Sequence, residues 1–150
     1  MKKEEAVMDN CVFCTYAKDG VPEHRYLAET EHFLAFLDWS PVSPGHTLII
    51  PKKHSVALLD SPAEHATELF IFMQSVASAV LTATRSSGFH LHQNNGKDAT
   101  QSVFHTHFHI IPRRKNDGLP LKILPQIRET PEYFKTLQEK VKEHLETVSF

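Results

Sequence analysis

From Phe104 to Ile111 the chain alternates without a break: His105, His107 and His109 fall on one side, and Phe104, Thr106, Phe108 and Ile110 on the other. Alternation of period two is the pattern of a β-strand with one face in a core. Each strand residue advances about 3.3 Å, so the other face carries imidazoles about 7 Å apart. Pro112 lacks a backbone donor and is expected to end the strand. Any fold containing this segment needs a sheet with one covered face.

A single strand histidine is ordinarily a satisfied core or surface residue, but three in phase ask for a function. An H-x-H pair on a strand can place two imidazoles on one metal ion. Alternatively, a neutral imidazole attacks phosphorus without prior deprotonation, titrates near working pH, and forms an N–P bond that a second step can hydrolyse. A catalytic metal would also want a nearby carboxylate, and the nearest, Asp98, lies off the strand. The nucleophile reading is favoured.

The remaining segments supply the sheet and its cover. With 150 residues the chain has room for one hydrophobic core and not two, so one domain over 1–150 is expected. After a disordered start over 1–10, Val12 to Ala17 can form a short helix, and Asp19-Gly20 with Pro22 turns the chain. Arg25–Ala28 and His32–Leu37 have the composition of a strand hairpin, and Thr47–Ile50 follows an extended loop held by Pro41, Pro44 and Gly45. Ser61-Pro62-Ala63-Glu64 predicts a helix start with an N-cap, an early proline and a capping box. Leu69, Phe72, Met73, Val76 and Val80 then mark one buried face, and the helix should stop near Gly88. A strand is expected from Phe89 towards His92–Asn94. Residues 113–150 form a C-terminal extension, with a last helix from Thr130-Pro131 and a stripe of Phe134, Leu137, Val141 and Leu145. Both stripes are expected in the core. The layout is α+β, a mostly antiparallel sheet with one long and several short helices packed on it, in preference to parallel βαβ winding.

Composition narrows the partners. A net charge of −2 gives no electrostatic reason to expect nucleic acid or a membrane surface, so a phosphate-bearing ligand must be held locally. No continuous apolar run approaches the roughly 20 residues of a spanning helix. The polar Met1–Glu5 is not followed by the apolar core of a signal peptide, and a reducing, cytoplasmic setting is expected. Cys11 and Cys14 have the spacing of half a metal site or a redox pair. Zinc would need two further ligands, which the eleven histidines could supply. Arg113-Arg114-Lys115 is expected to be a solvated loop, and Leu119–Pro125 an irregular one.

Gln101-Ser102-Val103-Phe104-His105-Thr106-His107-Phe108-His109-Ile110-Ile111 resembles the signature of the histidine triad family. Phe36-Leu37-Asp38-Trp39-Ser40-Pro41 and the stretch from Pro44 to His54 resemble that family's nucleotide-binding half, and the likeness runs from about Cys11 to Arg113. The resemblance implies a hydrolase of the Hint-like branch, cleaving the α-phosphate bond of a purine nucleoside 5′-monophosphate joined to an amine through a nucleotidyl-histidine. It implies His107 as nucleophile, His109 beside the phosphate and His46 as their support. Ser102 and Asn94 would contact phosphate, with Gln101 in the same substrate-binding segment. Asp38 would take the ribose hydroxyls, and Phe36 and Trp39 would line the base pocket. The plainer roles are turn-capping for Asp38, a turn for Asn94-Asn95-Gly96, core packing for Phe36 and solvent exposure for Ser102. The resemblance further implies a structural zinc on Cys11, Cys14, His54 and His105, no metal in the chemistry, and a homodimer. Rival readings are a dinucleoside polyphosphate hydrolase, a nucleotide-binding interaction module with little turnover, and a catalytic metalloenzyme.

Overall fold

Five short runs rich in β-branched and aromatic residues pair into one antiparallel sheet. The strands are β1 (Tyr26–Glu29), β2 (Phe33–Leu37), β3 (Thr47–Pro51), β4 (Gly88–His92) and β5 (Phe108–Arg113), in the order β1-β2-β3-β5-β4. Among the described residues three α-helices accompany them: α1 (Val12–Asp19), α2 (Ala66–Thr84) and α3 (Pro131–Leu145). The α+β expectation holds. The computed structural model describes residues 10–119 and 128–147; the start expected to be disordered falls largely outside them, as do residues 120–127 of the irregular segment. The chain divides into two units, Met1–Leu119 and Pro120–Phe150.

The central strands are buried on both faces, which explains their near-continuous apolar sequence. On one face Phe33, Ala35, Ile49 and Ile110 pack against Phe72, Val76, Ala77 and Val80 of α2. On the other, Leu34, Phe36, Leu48 and Ile50 pack against Cys11 and Phe13 at the start of α1. The α2 stripe is therefore core, as its spacing predicts. Together with its preceding turn this helix, Ala63–Thr84, is long and apolar enough to cross a membrane by length and composition. A search for unbroken apolar runs overlooks it because serine, threonine and glutamine interrupt the sequence. In this fold its apolar stripe is used against the sheet.

Four local expectations need correction. The ladder of β5 begins at Phe108, not Phe104, because residues 104–107 are held by single non-local bonds such as Thr106 N to Ser55 O at 2.7 Å. Pro112 does not end the strand. It pairs with Phe89 of β4, while β3 leaves β5 at Ile110, so the proline sits where the other side carries no ladder. The long helix starts at Ala66 after a tight turn over Ala63–His65, and Ser61 caps nothing, since its hydroxyl bonds Ala57 O and Thr106 Oγ1, each at 3.2 Å. Its end is set by Arg85, left-handed at φ 51°, while Gly88 opens β4.

In the second unit α3 starts where the sequence predicts, with Thr130 Oγ1 accepting from Tyr133 N at 3.2 Å. Its stripe is exposed rather than core: Phe134, Leu137, Val141 and Leu145 are all about half accessible. Among the described residues of this unit α3 has no second layer to bury such a stripe.

Candidate active site

The loop from Asp38 to His46 leaves β2, doubles back and enters β3, closed by Asp38 N to His46 O and His46 N to Ser43 O. Gly45 makes this possible. It has φ 82°, and a Cβ there would lie 2.6 Å from Thr84 Cγ2, so the loop rests directly on the end of α2. His46 is thereby delivered buried, beside β5.

Hydrogen-bond partners fix the histidine tautomers. Val42 N donates to His46 Nδ1 at 3.3 Å, which puts the His46 proton on Nε2. That Nε2 lies 2.9 Å from His109 Nδ1 and 3.4 Å from Asp38 Oδ2. His109 Nδ1 therefore accepts, and the proton of His109 sits on its Nε2. His107 Nδ1 donates to the backbone oxygen of His105 at 2.6 Å. The lone pair of His107 is left on Nε2, as a nucleophile requires. Its ring lies against Phe13, centroids 5.2 Å apart, and against His109, centroids 5.0 Å apart.

Burial is the main cause of the electrostatics here. It pushes His109 down to about 4, helped by His107, His92 and His46 and opposed by Asp38. His46 and His92 are also lowered, burial leading in both. His46, His92 and His109 are thereby neutral near pH 7 and offer a phosphate oriented N–H dipoles in place of imidazolium charge.

This lowering predicts an acid-side loss of stability. Above about pH 6.5 neither the folded nor the unfolded chain protonates His109; below it only the unfolded chain gains the proton. Stability should therefore fall between about pH 6.5 and 4 and level off beneath, by up to about 3 kcal/mol. Denaturation of the wild type and His109→Gln across that range checks this: the variant should lose less, and parallel curves would refute it.

The imidazoles close one end of a cleft of about 600 Å³ whose other end is apolar, formed by Val12, Phe13, Phe36, Leu48 and Val103. Asp38, Trp39 and Ser102 line it as well. Phe36 serves core and cleft together. Asp38 caps its turn, Oδ1 accepting from Ser40 N at 2.8 Å, and turns Oδ2 to His46 and His109. Asn94 is not among the residues lining this cleft; its amide donates to Thr100 Oγ1 at 3.4 Å. Gln101 is buried with its amide engaged, Oε1 accepting from Gly96 N at 2.7 Å and Nε2 donating to Val56 O at 2.6 Å and Val103 O at 3.1 Å. It braces the loop that carries Ser102. Arg113 is held by Asp117 through bonds of 2.7 and 3.1 Å, in keeping with a loop role.

Sequence reasoning passed over Phe13 and Tyr16, which α1 presents to the cleft, and His92, paired across the ladder with His109 at a centroid distance of 4.7 Å. The second H-x-H, His90 and His92 on a strand, was the available signal.

Behind the cleft lies a second cluster. His105 Nε2 donates to Pro51 O at 2.8 Å, so its Nδ1 carries a lone pair facing Cys11 Sγ at 3.4 Å, Cys14 Sγ at 3.6 Å and His54 Nδ1 at 3.2 Å. The Cys14 Sγ to His54 Nδ1 distance is 3.2 Å, and all four ligand atoms lie within 4.8 Å of one another. Tetrahedral zinc, with bonds of about 2.0–2.3 Å, has ligand–ligand edges of about 3.3–3.8 Å. The donor set and its spacing fit that ion. Burial and the adjacent Cys11 push the Cys14 thiol up to about 12, a charge problem that a bound dication reverses. Cys11 and Cys14 are not joined in a disulfide.

The family model for the HIT domain matches residues 20–116. The adenosine 5′-monophosphoramidase of Saccharomyces cerevisiae is 42% identical over 104 residues, covering 69% of this chain and 63% of its own. The adenylylsulfatase of Arabidopsis thaliana is 40% identical over 119 residues, 79% of this chain and 60% of its own. An uncharacterized HIT-like protein of Borreliella burgdorferi is 35% identical over 136 residues, 89% of this chain and 97% of its own. The histidine triad nucleotide-binding protein of Candida albicans has the same fold with a TM-score of 0.81 at 32% identity, covering 93% of this chain and 100% of that one. A zinc-bound histidine triad family protein of Mycobacterium smegmatis gives a TM-score of 0.68 at 34% identity, covering 91% of this chain and 99% of that one. The alternating histidines, the cleft they close and the sheet that carries them agree with these likenesses, and this chain belongs to the HIT domain family.

Proposed function

We propose that the protein hydrolyses purine nucleoside 5′-monophosphates joined to an amine, with His107 as nucleophile. The observation that carries this reading is the tautomer of His107, whose Nδ1 proton is committed to the His105 carbonyl and whose Nε2 lone pair is free in a cleft with an apolar end. His107 Nε2 attacks the α-phosphorus, forming an N–P bond as the P–N bond to the amine breaks. The amine leaves with its electron pair and gains a proton from solvent. Water then attacks the same phosphorus and gives up a proton to solvent, the bond to His107 breaks, and the lone pair returns to Nε2. His109 Nε2–H and the Ser102 hydroxyl stabilise the phosphate oxygens, and Asn94 would join them only by leaving Thr100. His46 holds His109, and Gln101 holds the Ser102 loop. Phe36 and Trp39 flank the base.

The same nucleophile would serve a dinucleoside polyphosphate. Relative kcat/KM for adenosine 5′-phosphoramidate and diadenosine tetraphosphate decides between the two leaving groups; turnover of neither by zinc-replete protein would reject both.

Asp38 is assigned the ribose hydroxyls. Asp38→Ala should weaken AMP binding about tenfold or more while changing 2′,3′-dideoxy-AMP little, since only AMP offers hydroxyls to the carboxylate. Equal losses would remove that role.

Cys11, Cys14, His54 and His105 would hold zinc as a closed structural site, which suits a reducing, cytoplasmic setting where thiols stay free to bind. A homodimer is part of the proposal. Phe70 and Ile71 on α2 are 59% and 58% exposed, and Phe89 and Leu91 stand out from the edge strand β4.

A further inference from the structure

Arg25 belongs to no motif, yet its side chain is tied to the cleft in two ways. Nη1 donates to the backbone oxygen of Asp38 at 2.7 Å. The guanidinium lies 4.1 Å over the ring of Trp39. Nε is buried and has no hydrogen-bond partner among the described residues. Arg25 also lines both the 600 Å³ cleft and an adjoining cavity of about 430 Å³ bounded by the loop from Pro41 to Gly45. Its main chain is fixed too, since Arg25 O accepts from Leu37 N at 2.9 Å.

Trp39 needs such a support. It is 62% exposed on a turn at the cleft mouth, so little else holds its indole plane. A flat cation over one face gives the ring a defined orientation and covers that face. The opposite face stays available to stack a base, and the bond to Asp38 O holds the chain where Asp38 reaches His46. Lysine cannot replace the flat face, because a point ammonium neither stacks nor makes the same fork of donors.

We propose that Arg25 is a positioning residue that sets nucleoside selectivity, ordering Trp39 as a stacking wall and thereby favouring purine over pyrimidine nucleotides. This rests on the nucleotide-conjugate reading of the cleft and adds to it the residue that orders its outer wall. Base–aromatic stacking is tolerant of sequence and grows with the overlapped face, so a purine has more to lose than a pyrimidine when the wall is free to turn.

Trp39 is the only tryptophan in the chain, so its emission reports this position alone. Arg25→Ala should raise acrylamide quenching of that emission about twofold by uncovering one indole face. AMP affinity, measured calorimetrically, should fall about tenfold and CMP affinity only about threefold. With adenosine 5′-phosphoramidate the loss should appear in KM rather than kcat. Arg25→Lys, which keeps the charge and guards against a folding failure, should give an intermediate AMP affinity. Arg25→Ala combined with Trp39→Ala should bind AMP no worse than Trp39→Ala alone. If AMP and CMP are lost equally, or the double variant is additive, the assignment to Arg25 is overturned and the nucleotide reading stands. If the wild type binds neither nucleotide, the nucleotide reading itself fails and this proposal with it.

Discussion

Replacement of His107 by alanine is expected to lower turnover on the order of 10⁴- to 10⁶-fold while the protein stays folded, because a methyl group can form no bond to phosphorus. Alanine removes a hydrogen bond to a carbonyl two residues back and the ring's packing against Phe13 and His109, a local loss beside the chemical one. Thermal unfolding should shift only modestly beside that loss. Mass spectrometry of wild-type protein quenched during turnover should find the nucleotide adduct on His107. An adduct on His109 or His46, or an active alanine variant, would reject the assignment. His107→Gly supplied with free imidazole should recover part of the rate, since the added ring can enter where the side chain was.

The second large effect concerns zinc. Removal by a strong chelator is expected to cost at least about 4 kcal/mol, which for a chain of this size is a fall in Tm of about 10 °C or more. The reason is geometric. Cys11 and Cys14 come from the start of α1, His54 from the segment after β3 and His105 from the approach to β5, so the ion would join three parts of the first unit. Serine at both cysteines should abolish metal uptake and reproduce the loss, with turnover at low temperature following the folded fraction. Metal analysis of protein purified without chelator checks the premise: no stoichiometric zinc would leave Cys11 and Cys14 as ordinary reduced thiols. Zinc-loaded protein whose folded apo form is wholly inactive would instead make the metal catalytic and displace His107 from the mechanism.

What could be read from the sequence was whatever is encoded over a few residues. The sides of Thr106 to Ile110 and the α2 stripe from Leu69 to Val80 follow from periodicity alone, and the structure uses both as expected, while Phe104, read onto the core side, is exposed because it lies before the ladder of β5 begins. Features decided by distant partners were not legible. Ser61 has the composition of a helix cap, but its hydroxyl is shared between Ala57 O and Thr106, forty-five residues away. Pro112 stays within its strand because β3 has already departed, a fact of sheet order that no local pattern carries. The α3 stripe has helical spacing yet remains exposed, since spacing says which side is apolar and not what covers it. In the cleft and the cluster behind it, residue types were readable and tautomers were not, because each depends on one backbone group: Val42 N for His46, the His105 carbonyl for His107 and the Pro51 carbonyl for His105.

His105 takes part in both clusters through different atoms. Its ring belongs with Cys11, Cys14 and His54, while its carbonyl oxygen accepts the Nδ1 proton of His107. Any residue supplies that carbonyl, so the side chain matters to the nucleophile only by keeping the backbone in place. Partly demetallated stocks should then behave as mixtures of folded, competent molecules and unfolded ones, with unchanged KM and a reduced count of titratable active sites. Specific activity would vary from batch to batch with the chelators met during purification, and a burst titration would trace that variation to the number of working sites.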